Sequence, residues 1–296
     1  MQFKNTAIED LDVLRKALSS YKGKICDISP GNLVFWRDYY NTAHHISSEG
    51  IIIRYENMDG GLWYYCTGNE ELAKKLMDHE GGTVRLACLC DEELEFFEER
   101  FECSERIMSE DWNDYLYLAS DIVELRGKKF SGQRNHINKF KKLYPSATFT
   151  EITEADVEDI KAFCHGYFHD FGAEYGEEAA YEEEHIYEQL DNLLAYGQNT
   201  GILRVNGDVV GFSIGEVVGE VLIIHTEKAN TAYDGVYPML VQSFAKMHVT
   251  EKVKYINREE DCGVAGLRTS KRSYHPICLL NKNSVVISNK KNNEQK

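Results

Sequence analysis

The spacing of apolar positions changes period several times along the chain, and each change marks an element. From Gly201 to Glu227 three β-branched runs follow one another, separated by Asn206-Gly207-Asp208 and by a turn at Gly219. Short β-branched runs joined at glycine-containing pairs are what hairpins require, so this stretch predicts a three-strand meander. Val236, Leu240, Val241, Phe244 and Met247 then recur at helical spacing, and a strand is expected from Val253 to Asn257. The span 266–276 reads as a loop, and a strand near Ile277–Leu280 closes the pattern.

The first half repeats this order. Thr6-Ala-Ile-Glu9 reads as a capping box for a helix to about Ser20, with Ile8, Leu11, Leu14 and Leu18 as its apolar stripe. A short aromatic helix over 32–40 follows Pro30-Gly31. Strands are expected at 45–48, 51–55 and 62–66, with a turn at Asn57–Gly61. Helix 70–79 with a Gly81-Gly82 cap, strand 84–90, acidic helix 91–101 and strand 106–108 complete this half. A basic helix then runs to about Leu143, ended by Tyr144-Pro145. Strand 147–152, a helix capped by Thr153 and an acidic helix at 177–196 lead into the meander. The tail 289–296 is polar and reads as frayed. Both halves therefore give two helices, a meander, a helix and a strand: an α+β architecture of mixed sheets flanked by helices. The expected boundaries are a first domain at 1–112, a basic connecting segment at 113–146 and a second domain at 147–296.

Composition narrows the class. Hydrophobic residues make up 43% and aromatics 11%, enough for two modest cores in 296 residues. No apolar run is long enough to span a bilayer. The start, Met-Gln-Phe-Lys, leads into an acidic amphipathic segment and not a signal peptide, so the expected compartment is the cytoplasm. The eight cysteines have no framework spacing and read as buried reduced thiols; Cys88-Leu-Cys90 lacks zinc-ligand spacing, and no metal is expected. The net charge of −16 argues against wholesale nucleic-acid binding. Yet 126–142 carries seven lysines and arginines and no acid. Its two readings are a solvated helix face and a polyanion contact through Arg126, Lys128, Lys129, Arg134 and Lys139.

Chemistry-bearing residues gather where strands end. His225 and Glu227 stand two apart on one predicted strand and so share a face, with Lys228 exposed on the other. Either is a proton acceptor if that face lines a cleft; the bland reading of His225 is a satisfied strand-end histidine. Asn257-Arg258-Glu259-Glu260-Asp261 ends the next strand. There Arg258 suits a carboxylate or phosphate, and Asp261 an amine; the alternative is an ion-paired strand terminus. Arg268, Ser270, Lys271 and Tyr274 place cations, a hydroxyl and a phenol in one loop, as a phosphate or adenosine end would need. The candidate site is thus His225, Glu227 and Asp261 as catalytic residues, with Asn257, Arg258, Arg268, Ser270, Lys271 and Tyr274 as binding residues.

The strings Tyr115-Leu-Tyr-Leu, Leu125–Phe140, His225–Ala229, Tyr255–Asp261 and Gly266–Pro276 together resemble the C-terminal catalytic domain of phosphatidylglycerol lysyltransferases and standalone bacterial proteins built on it. The resemblance covers most of the chain. It implies tandem acyl-CoA N-acyltransferase (GNAT-like) domains, the first a degenerate copy, related to Fem-type aminoacyl transferases. It also implies transfer of an aminoacyl group from a charged tRNA to a hydroxyl, with a small molecule or lipid headgroup as acceptor. Two departures stand out: the chain has no multi-span membrane portion, and it is more acidic than tRNA use requires. Coenzyme A is disfavoured as donor, because 229–237 has one glycine and lacks the [Arg/Gln]-x-x-Gly-x-[Gly/Ala] loop that such enzymes place before the helix. Three readings are open: an aminoacyl-tRNA-dependent transferase with no cofactor of its own, a CoA-dependent N-acyltransferase acting on a small amine, and a non-catalytic binding module that kept the fold.

Overall fold

The computed structural model describes residues 1–56, 60–171 and 176–290. The strands are β1 (Lys4–Asn5), β2 (Ala43–Ser47), β3 (Gly50–Glu56), β4 (Leu62–Cys66), β5 (Thr83–Leu89), β6 (Glu102–Ile107), β7 (Asp114–Leu118), β8 (Thr148–Thr150), β9 (Asn199–Val205), β10 (Asp208–Val218), β11 (Val221–Ala229), β12 (Tyr255–Asn257), β13 (Cys278–Leu280) and β14 (Asn283–Ser288). The α-helices are α1 (Leu11–Ala17), α2 (Pro30–Phe35), α3 (Glu70–His79), α4 (Asp91–Arg100), α5 (Ala119–Glu124), α6 (Ser131–Leu143), α7 (Val157–Phe171), α8 (Gly176–Asp191), α9 (Leu193–Tyr196), α10 (Val236–His248) and α11 (Ala265–Arg272).

Two compact units result. One holds Met1–Asp114, Glu260–Ala265 and Leu279–Lys296; the other holds Tyr115–Glu259 and Gly266–Cys278. Each unit is built on a seven-stranded mixed sheet, and the two sheets share a plan. The first runs β1-β2-β3-β4-β5-β14-β6 and the second β13-β7-β12-β11-β10-β9-β8. In each, an antiparallel meander (β2-β3-β4 or β9-β10-β11) is followed by a helix (α3 or α10) and a strand parallel to the meander's last. In each, an antiparallel strand from elsewhere in the sequence completes the edge beyond: β14 on β5, and β7 on β12.

Local chemistry explains the repeated meander. Asn206 and Gly207 both have positive φ, 53° and 96°, as a two-residue hairpin turn with the twist of the flanking strands requires. Phe140 of α6, Val236 and Leu240 of α10, and Leu203, Val205, Val210 and Ala229 of the meander form one buried cluster. At about 1.5–3 kcal/mol for each large side chain removed from water, this layer fixes α6 and α10 on the sheet.

Several sequence expectations shift. The segment 113–146, read as a connector, supplies β7, α5 and α6, and all of it from Tyr115 onward belongs to the second unit. Strand β14 lies in the first unit's sheet although the sequence places it in the last part of the chain. The loop expected at 266–276 begins as α11, a helix with no buried side chain and hence no apolar stripe to announce it. Thr6 does not cap a helix: its hydroxyl meets His44 Nδ1 at 3.0 Å, and Asp10 takes the Ala7 amide. Of the eight thiols, Cys262 and Cys278 are exposed. Lys228 is not exposed but pairs with Glu182 at 2.8 Å, its ammonium within 5.4 Å and 5.2 Å of the Tyr167 and Phe168 ring centres. The expected turn residues 57–59 and tail residues 291–296 lie outside the described residues.

The first unit contains a buried ionic centre. Lys282 Nζ stands 2.6 Å from Asp27, 2.8 Å from Asp114 and 2.9 Å from Glu260, and 3.3 Å from Cys26 Sγ. Asp114 also accepts the Cys26 amide at 2.7 Å. Cys26, Asp27 and Asp114 present ligand atoms within 4.8 Å of one another, a metal-like grouping whose cation here is the lysine ammonium. Burial pushes the Asp114 carboxyl up to about 7, with Lys282 opposing.

Candidate functional site

The second unit's parallel pair β11–β12 is registered only from Val221–Ile223 against Tyr255–Asn257. Beyond it β11 continues through His225 and Glu227, while β12 ends and the chain leaves through Arg258 and Glu259. Side chains beyond the last paired residues of parallel strands are where mixed sheets hold ligands.

A bulge shapes this end of β11. Ile214 pairs with Thr226 but Gly215 pairs with Ile224, so His225 is the extra residue. Gly215 permits the close approach, since a Cβ there would lie 2.3 Å from the Ile223 carbonyl oxygen. The simple alternation that puts His225 and Glu227 on one face is therefore broken.

Arg258 and Glu227 form the centre. The guanidinium donates from Nε at 2.9 Å and Nη2 at 2.8 Å to one oxygen, Glu227 Oε2. Its plane lies 4.8 Å from the Tyr274 ring centre. Burial opposes the arginine's charge, but Glu227 outweighs it and raises the pKa. Burial pushes the Tyr274 phenol up to about 12, with Arg258 opposing. Four polar atoms here are buried without a hydrogen-bond partner: Arg258 Nη1, Glu227 Oε1, Ser213 Oγ and Tyr274 Oη. Ser213 is directly opposite Glu227 across the β10–β11 ladder. Arg258 is 6% exposed, Tyr274 4% and Ser213 0%. Leaving one buried polar group unsatisfied costs about 1–3 kcal/mol, so these four atoms are the candidates for meeting a ligand's polar groups.

The other named residues divide. His225 is held at both ring nitrogens, Nδ1 to Glu259 at 2.8 Å and Nε2 to Glu216 at 3.1 Å. Burial disfavours its charge, but the two carboxylates push the pKa up to about 10. At neutral pH it is an imidazolium with no lone pair for a proton. Asn257 is fully buried and its Oδ1 accepts the Glu259 amide at 2.7 Å. Lys271 Nζ donates to the Arg258 carbonyl at 2.6 Å, and Tyr117 Oη donates to the Lys271 carbonyl at 2.8 Å. These bonds tie the end of α11 to the end of β12. Arg268 and Ser270 lie on α11. Asp261 belongs to the first unit, where its carboxylate takes the Gly263 amide at 2.9 Å and builds a turn. Ser213, Glu216, Tyr117 and Glu259 were absent from the sequence-based set; register across the sheet identifies the first two, and nothing in their spacing does.

The basic segment is only partly available to a ligand. Arg134 donates to the carbonyls of Leu125 and Gly127, closing the turn after α5. Arg126 pairs with Glu124 at 3.0 Å, Lys129 with Asp121 at 2.8 Å and Lys139 with Asp234 at 2.9 Å, the three cations all exposed and Asp121 half-buried. Lys128, Lys141 and Lys142 are exposed and have no acidic partner among the described residues. The chain after α11 packs on this segment: Gln133 Nε2 donates to the Ser273 carbonyl at 2.7 Å, and His275 Nε2 meets the Lys129 carbonyl at 3.0 Å. The basic residues of α11 and of 126–142 are thereby joined in one unit.

Comparisons with known proteins agree with this architecture. A conserved protein of unknown function from Bacteroides thetaiotaomicron superposes with a TM-score of 0.89 at 30% identity, over 97% of this chain and 100% of that one. L-PGS from Bacillus licheniformis gives 0.62 at 16% identity, over 93% and 90%. FemX gives 0.51 at 9% identity, over 96% and 97%, and a GNAT-family acetyltransferase of Colwellia psychrerythraea the same score at 7%, over 97% and 100%. The fold is the tandem GNAT-like one. An uncharacterised protein of Mycoplasmoides gallisepticum is 24% identical over 198 residues, 66% of this chain, and the chain spans 62% of that relative's length. Among the described residues no helix is long and apolar enough to cross a membrane. The family model of the phosphatidylglycerol lysyltransferase C-terminal domain matches residues 19–282, and the chain belongs to that family.

Proposed function

We propose that the chain is an aminoacyl transferase that takes its aminoacyl group from a charged tRNA and passes it to an amine or hydroxyl acceptor, a lipid headgroup among them. The observation that carries this reading is the unpartnered set Arg258 Nη1, Glu227 Oε1, Ser213 Oγ and Tyr274 Oη. Arg258 Nη1 can only donate and Glu227 Oε1 can only accept. A phosphate satisfies the first and meets repulsion at the second; a simple amine does the reverse. An aminoacyl ester brings both partners, an ammonium for Glu227 and, one carbon away, a carbonyl for Arg258.

The chemistry asked of the protein is modest. The ester is already activated, so holding the acceptor against its carbonyl supplies much of the rate. Arg258 Nη1 would meet the carbonyl oxygen as it gains negative charge in the tetrahedral intermediate, in a water-poor setting that strengthens the interaction. The acceptor's proton leaves to solvent or to the departing ribose oxygen. The cationic residues of 126–142 and α11 would meet the tRNA backbone. Coenzyme A fits less well: its pyrophosphate needs the amides at the start of α10, and there Gly235 lies against α6, a Cβ on it falling 2.3 Å from the His136 carbonyl oxygen.

The test is incubation with a set of labelled aminoacyl-tRNAs and, separately, with acetyl-CoA, each with phospholipid and small-amine acceptors. The expected result is acceptor-dependent deacylation of one or a few aminoacyl-tRNAs with no thiol release. Thiol release from acetyl-CoA without deacylation would overturn the proposal.

A further inference from the structure

We propose that His225 is a positioning residue, a permanent cation that locks the exit of β12 so that Arg258 Nη1 faces the bound aminoacyl group. This rests on the aminoacyl reading of the site and replaces the role of proton acceptor that strand position alone suggested.

The argument starts from the two ring nitrogens. Both meet carboxylate oxygens, Glu259 at 2.8 Å and Glu216 at 3.1 Å. Carboxylates only accept, so a ring satisfied on both sides must donate from both, which makes it an imidazolium. His225 is 7% exposed on its side chain and Glu216 8%, so water contributes little to holding the charge. A buried cation between two buried or half-buried acids is a fixed joint, not a titrating base.

What the joint holds is unusual. Glu259 has φ 56°, a left-handed backbone in a residue with a full side chain. Such a conformation costs about 1–2 kcal/mol outside glycine and persists only where the surroundings over-determine it. Here they do. The Glu259 amide goes to Asn257 Oδ1 at 2.7 Å, its carbonyl takes the Tyr115 amide at 3.1 Å, and its carboxylate goes to His225. Arg258 sits between Asn257 and Glu259, so its direction follows from that turn. The bulge supplies the other half of the geometry, because the extra residue it inserts into β11 is His225 itself. The sheet irregularity, the left-handed residue and the double ion pair all serve the placement of one guanidinium.

The experiment has two arms. Nitrogen-15 NMR of histidine-labelled wild type should show one imidazole doubly protonated at pH 8, assigned by its loss in His225→Gln. A ring that is neutral at pH 8 overturns the proposal. In the second arm, a panel of amino-acid amides is titrated into wild type and into Glu259→Gln, which keeps the His225–Glu216 pair and so spares the fold if His225→Gln does not. The expected result is a loss of at least about tenfold in amide affinity with tRNA affinity unchanged. Equal amide affinity in the two proteins overturns the positioning role alone. Absence of amide binding by wild type overturns the aminoacyl reading, and this inference with it.

Discussion

Replacing Lys282 by methionine removes a cation that faces three carboxylates in the first unit while keeping most of the side-chain volume. The ammonium is 8% exposed and lies within 2.6–2.9 Å of Asp27, Asp114 and Glu260. Breaking a buried ion pair from one side typically costs about 3–5 kcal/mol, because the surviving charges are left without compensation. The loss should depend on pH. The folded-state pKa of Asp114 is raised to about 7 by burial, so the folded chain binds a proton where the unfolded chain has released it. A raised carboxyl pKa means stability is highest below the ordinary carboxylate range and falls as pH rises through about 7. Without Lys282, which opposes the effect of burial, the Asp114 carboxyl shifts further up, and the fall steepens by about 1.4 kcal/mol for each proton and each pH unit. All three tryptophans, Trp36, Trp63 and Trp112, lie in the first unit, so their fluorescence reports its urea unfolding without contribution from the second. At a slope near about 2 kcal/mol/M, Lys282→Met should lower the midpoint by about 2 M at pH 8 and by clearly less at pH 5. A loss below about 1 kcal/mol, the scale of an exposed pair, or an equal loss at both pH values, would refute the reasoning.

Two further outcomes follow from the second unit. Arg258→Lys keeps a cation for Glu227 but loses the fork; the melting temperature should fall by a few degrees at most, while aminoacyl-tRNA deacylation falls at least about a hundredfold, the scale of one lost transition-state donor. Retained activity in that variant would remove Arg258 from the site. Neutralising Lys128, Lys141 and Lys142 should weaken tRNA binding and reduce the slope of log affinity against log salt by about 3; an unchanged slope would place the tRNA elsewhere.

The sequence by itself determined what depends on neighbours in the chain. The hairpin at Asn206-Gly207 was legible because a tight turn with two positive φ angles demands such residues. Helix 70–79 was legible because Leu72, Ala73, Leu76 and Met77 recur on one face. The repeated order of meander, helix and strand follows from many such local signals. Strings carrying His225, Glu227 and Arg258 stood out because charges begin abruptly where an apolar run ends.

Only the tertiary structure decided which of those residues meet, and in what state. Asp261 is three residues from Arg258 yet belongs to the other unit, because the chain crosses between units at Glu259–Glu260. His225 is an imidazolium because a bulge and two distant glutamates surround it; no window of sequence contains Glu216, His225 and Glu259 as neighbours. Helix α11 buries no side chain and carries one large apolar residue, Leu267, so no recurring apolar positions announce it; Tyr117 donates to the Lys271 carbonyl, Lys271 donates to the Arg258 carbonyl, and Gln133 donates to the Ser273 carbonyl just after the helix. The four unpartnered atoms at Ser213, Glu227, Arg258 and Tyr274 come from four separate stretches. Spacing along a chain fixes periodicity and turns, whereas a binding site is set by register between strands and by burial, and both exist only once the sheet has formed.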